Sequence, residues 1–161
     1  MRGYLVGVDP VIAAVLYSLQ QIREDVHRWT DGLTDEQLWY AEGGLASAGF
    51  HLRHLAGSID RLTTYADGKT LTGEQLAALD AEKQRDLTRP QLLTMLETAI
   101  VKAEAMLRTT TPAEFGAHRE IGRLRIPTTL VGLLIHTAEH GQRHLGAMIS
   151  AIRLATLQRS V

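Results

Sequence analysis

From Pro127 to about Leu157 the chain carries apolar residues at spacings of three and four. Set among them, at two successive four-residue steps, are His136, His140 and His144. Leu130, Leu133, Leu134, Thr137, Ala147, Met148 and Ala151 interleave with the histidines, a pattern that fits an α-helix and breaks the two-residue alternation of a strand. A helix this long, apolar on one side and lined with imidazoles beside it, must be covered by other helices. This segment therefore constrains the fold more than any other part of the chain.

Three further stretches have the same period. Asp9-Pro10 is a cap followed by proline at the first helical position, and Ile12, Val15, Leu16, Leu19, Ile22, Val26 and Trp29 continue the helix until Asp31-Gly32. A second long helix is predicted from about Ala46 to Ala66, closed by Asp67-Gly68. A third follows Thr88-Arg-Pro-Gln91, with Leu92, Met95, Leu96, Ala99, Ala103, Met106 and Leu107 along one side. Thr34 to Gln37 and Thr72 to Gln75 have capping-box spacing and predict short helices, the first ending at Gly43-Gly44; Thr111 to Glu114 predicts a helical turn. Pro127 is read as the opening of the last helix. Strand-like alternation is scarce, so the expectation is an all-α, four-helix bundle with short additional helices in its connections.

With 161 residues, the expectation is a single domain spanning 1–161. Seventeen basic against 18 acidic side chains, with the basic ones scattered, give no reason to expect nucleic acid or an anionic membrane as partner. The apolar run Val11 to Leu16 passes directly into Gln20, Glu24 and Asp25, which suits a first helix better than a cleavable leader. No stretch reaches the ~20 apolar residues of a membrane span. A soluble cytoplasmic protein is expected.

The sequence has seven histidines and no cysteine, so a transition metal would be held by nitrogen and oxygen, and no cysteine nucleophile exists. On an ideal helix His140 stands about 40° and His144 about 80° from His136. Three ligands from one rigid helix surround a small ion poorly. His140 and His144 with a third nitrogen from across the bundle are better placed, and that nitrogen is sought in His51-Leu-Arg-His54. His54 is favoured over His51; His51 and His136 are read as hydrogen-bonding neighbours or as exposed residues. Three imidazoles with an open position suit catalytic zinc, and nickel or another late first-row ion accepts the same donors.

Glu139 precedes His140 instead of following His136, so the pattern is not the His-Glu-x-x-His of metalloproteases, and a helix-surface carboxylate is the preferred reading. Arg61, seven residues after His54, is the candidate catalytic residue, positioned at the cavity mouth to receive an acidic group bidentately. Asp60 could orient a ligand or pair with arginine. Ion pairing is the plainer reading of both.

Gly49-Phe-His-Leu-Arg-His54-Leu-Ala-Gly-Ser58 with Asp60-Arg61-Leu62, together with Leu133-Leu-Ile-His-Thr-Ala-Glu-His140-Gly-Gln-Arg-His144-Leu-Gly146, resembles the DinB-like, or YfiT-like, family of metal-dependent enzymes. The resemblance implies an unusual four-helix bundle with a long connection, a metal held by His54, His140 and His144, and a homodimer. It also implies thiol-dependent transferase, isomerase or hydrolase chemistry, and no DNA chemistry despite the family name. The chain departs from the family pattern at Leu45-Ala46-Ser47, where a tryptophan is common, and at Ala147, where glutamine is common. Neither change removes a candidate ligand.

Two functions follow as expectations. The leading one is a metal-dependent enzyme that activates a diffusible low-molecular-weight thiol, or water, for transfer, addition or hydrolysis on a small electrophilic substrate. The alternative is a non-enzymatic metal- or ligand-binding helical protein with a stress-related role.

Overall fold

The computed structural model describes residues 3–157; the outermost ends of the expected domain, 1–2 and 158–161, lie outside the described residues. Helix α1 (Pro10–Thr30) starts where its cap predicts, with Asp9 Oδ1 accepting from the Val11 and Ile12 amides at 2.8 and 3.4 Å. Helix α2 (Asp35–Leu38) has the Thr34–Gln37 capping box but stops at Leu38, short of the Gly43-Gly44 end the sequence suggested. Helix α3 (Ala48–Ala66) begins after Ser47, whose hydroxyl accepts from the Phe50 amide. Helix α4 (Gly73–Asp80) repeats the capping box with Thr72 and Gln75, and helix α5 (Arg89–Thr109) follows Thr88, whose amide donates to Gln91 Oε1. The expected turn at Pro112–Glu114 is a 3₁₀ turn.

The last helix, α6 (Leu130–Leu157), starts three residues after the expected proline. Pro127 belongs to strand β2 (Ile126–Thr129), which pairs antiparallel with β1 (His118–Ile121), Glu120 opposite Pro127. In a two-stranded ribbon both strands are edges, where a proline without an N–H is tolerated. The two are joined by the tight turn Gly122–Arg125, closed by the Arg125 amide on the Gly122 carbonyl at 3.1 Å, with Gly122 at φ 70°. The chain before β1 caps α6. Leu130 N donates to the Ala117 carbonyl at 2.9 Å, Val131 N to Phe115 at 3.1 Å, and Gly132 N to Thr129 Oγ1 at 3.2 Å.

Helices α1 and α3 each pack against both α5 and α6, closing a four-helix bundle. Its core is drawn from all four: Leu19 and Ile22 of α1, Leu52, Leu55 and Ile59 of α3, Leu92 and Ile100 of α5, Leu133, Leu134 and Met148 of α6. Gly141 lies where α6 meets its neighbours, since a Cβ there would sit 2.6 Å from Ile22 Cδ1 and 3.9 Å from Leu55 Cδ2. This close approach sets α6 against α1 beside His140. No helix among the described residues is long and apolar enough to cross a membrane.

Candidate metal centre

His140 and His144 stand one turn apart on α6 and face α3, whose His54 meets them. Each of the three rings offers a donor atom within 4.8 Å of the others, and all three are half-buried. His54 Nε2 lies 3.0 Å from His140 Nε2, and the His54 ring centroid is 4.3 Å from that of His144. Two nitrogens bound to one ion at ~2.0–2.1 Å and a near-tetrahedral angle would stand roughly 3.3 Å apart. The spacing and donor set therefore fit a single small ion.

Burial, followed by repulsion from His54, pushes His140 and His144 each down to about 4. Both rings are consequently neutral at neutral pH and have a lone pair to offer. His51 is lowered in the same sense, first by burial and then by His54, and its Nδ1 sits 3.1 Å from His144 Nδ1. It supports His144 from the side. His136 is half-exposed and reaches Glu139 at 3.5 Å, while Glu139 is exposed and pairs with Arg143. The structure thus leaves His136 outside the cluster and Glu139 on the surface.

Arg61 is buried, not at a cavity mouth: its Nη2 pairs with Glu82 Oε1 at 2.7 Å. Asp60 turns to a cleft of about 540 Å³ lined by none of the histidines, where it meets Lys102 Nζ and Gln75 Nε2, each at 2.5 Å. Glu82 escaped the sequence reading altogether. It lies in the connection between α4 and α5, buried to 6% exposure, and its Oε2 is 2.7 Å from His54 Nδ1. Burial opposes its charge, but the His54 hydrogen bond and the Arg61 charge outweigh that and hold its pKa below the ordinary value. A signal for it existed: α3 places Arg53 and Arg61 among apolar residues, and buried guanidinium groups require acceptors from another segment.

The sequence pattern of the DinB superfamily matches residues 18–148, which include α3, α6 as far as Met148 and every residue of the cluster. The chain belongs to the DinB superfamily. No curated protein sequence matches it. Among solved structures, this DinB-superfamily chain is similar to YfiT from Bacillus subtilis, described as a probable metal-dependent hydrolase with an unusual four-helix bundle topology. The match has a TM-score of 0.67 and 17% identity, and covers 94% of this chain and 92% of the other. At that identity the likeness establishes the bundle fold.

Proposed function

We propose that this protein is a metal-dependent enzyme whose His54, His140 and His144 hold one divalent ion, zinc or nickel, for attack by a small thiol or water on a small electrophilic substrate. The observation that carries the reading is the convergence of three imidazoles from two helices, two of them held neutral, at the spacing of ligands on one ion. When bound there, the ion supplies Lewis acidity and lowers the pKa of a coordinated water or thiol. Three protein donors leave a position for that group.

The surrounding residues favour a thiol. Water needs a proton acceptor, yet Glu82 contacts His54 through one oxygen and is ion-paired with Arg61 through the other, which disfavours its protonation, while Glu139 faces solvent. A thiol, with an ordinary pKa near ~8.5, needs far less help to ionise. The chain has no cysteine, so the thiol must diffuse in. The description of YfiT as a hydrolase keeps water as the second nucleophile. A homodimer, as the family resemblance implies, and the cytoplasmic location expected from the sequence belong to the same reading.

The test is metal analysis of untagged protein followed by assays against a panel of electrophiles with and without low-molecular-weight thiols. One ion per chain, lost in His54→Ala, with thiol-dependent turnover is the expected result. Metal retained in full by His54→Ala would overturn it.

A further inference from the structure

We infer that Glu82, clamped by Arg61 over Gly57, is a positioning residue that sets the tautomer and orientation of His54 for metal binding. The inference rests on the metal-site reading above and adds to it a residue from outside the helices that carry the ligands.

An ionised carboxylate can only accept hydrogen bonds, so the 2.7 Å contact between Glu82 Oε2 and His54 Nδ1 requires the proton of His54 to be on Nδ1. In the neutral ring that a metal ligand requires, the lone pair is then on Nε2, the atom facing His140 at 3.0 Å. Ligating histidines are generally oriented in this way, by donating their other N–H to a carboxylate or carbonyl. Arg61 Nη2 stands 2.7 Å from the second carboxylate oxygen in a buried ion pair, an attraction that opposes Glu82 turning away. Phe50 stacks on the other aspect of the His54 ring, with centroids 5.7 Å apart and planes 12° from parallel.

The position of Gly57 shows how closely this assembly fits against α3. A Cβ there would stand 2.6 Å from Arg61 Nη1 and 2.8 Å from Glu82 Oε1, so both groups lie in the space that a side chain would take. The connection that delivers Glu82 is itself pinned. Arg53 Nη1 donates to the Gln84 carbonyl at 2.9 Å and to Asp86 at 2.5 Å, and Trp39 Nε1 donates to the Leu87 carbonyl at 2.8 Å. Glu82 is thus presented at a fixed place, not on a free loop.

The experiment titrates Zn²⁺ and Co²⁺ into the full-length, metal-stripped wild type and into Glu82→Gln and Gly57→Ala, reading affinity by chelator competition and the visible Co²⁺ spectrum. Glu82→Gln is expected to weaken Zn²⁺ binding by roughly 10- to 100-fold, the usual effect of losing such a partner, and to shift the Co²⁺ bands. Gly57→Ala keeps every titratable group, so its expected loss of at least about 10-fold reports displacement of the Arg61–Glu82 pair from α3. It also keeps the test decisive should Glu82→Gln fail to fold. Wild type that binds zinc, with both variants matching its affinity and spectrum, would overturn the role of Glu82 and leave the histidine site standing. Wild type that binds neither ion would overturn both.

Discussion

His140 and His144 combine two properties a single residue can be tested for: they donate to a shared point, and they resist protonation. His54→Ala, His140→Ala and His144→Ala are each expected to weaken zinc binding by more than about 100-fold, beyond what loss of an outer partner causes. His136→Ala, which removes a half-exposed ring paired with Glu139, should leave it nearly unchanged. Metal competition assays on the four variants check this. Proton binding gives a second prediction. In chelated protein His140 and His144 have pKa values of about 4, against 6.5 when unperturbed, so between these values the unfolded chain binds more protons. Their contribution to stability is therefore full above pH 6.5, falls as the pH is lowered, and levels off below about 4. Glu82, whose pKa is lowered by folding, adds a loss of the same sign on acidification. Melting temperatures in chelator from neutral pH downward should decline through this window; a rise would contradict the assignment.

Within single elements, glycine decides how α3 meets its surroundings. A Cβ on Gly49 would lie 2.7 Å from Trp39 Cδ2 and Cε3, and the indole cannot yield without endangering its 2.8 Å bond to the Leu87 carbonyl. Gly49→Ala is expected to destabilise the protein by about 1–3 kcal/mol despite alanine's better helix propensity, with red-shifted tryptophan emission. Denaturant unfolding measures it. Element boundaries were legible where side chains cap the backbone, as at Asp9, Thr34, Thr72 and Thr88. They were not legible at Pro127, because the hairpin that contains it is held by long-range pairing and the true cap is Thr129. Thr129→Ala should cost about 1 kcal/mol, the usual price of a lost cap, in the same unfolding assay.

At the scale of the molecule, an ion held between α3 and α6, as proposed, would join two elements far apart in sequence. Saturation at 100 times the dissociation constant stabilises a fold by about 2.7 kcal/mol, so zinc should raise the melting temperature by roughly 5–10 °C and a chelator should reverse it. The three histidines were legible because helical spacing and a bundle suffice to bring His54 opposite His140 and His144. Glu82 was not, because its place depends on how Arg53, Arg61 and Trp39 tie down an irregular connection. The hairpin has a last consequence. Because the first amides of α6 are tied to Phe115 and Ala117, the rotational phase of the whole helix is fixed before His136 is reached. One residue inserted between Thr129 and His136 would swing all three imidazoles by about 100° around the helix axis, whereas the same residue added within Gly122–Arg125 would leave them aimed at α3.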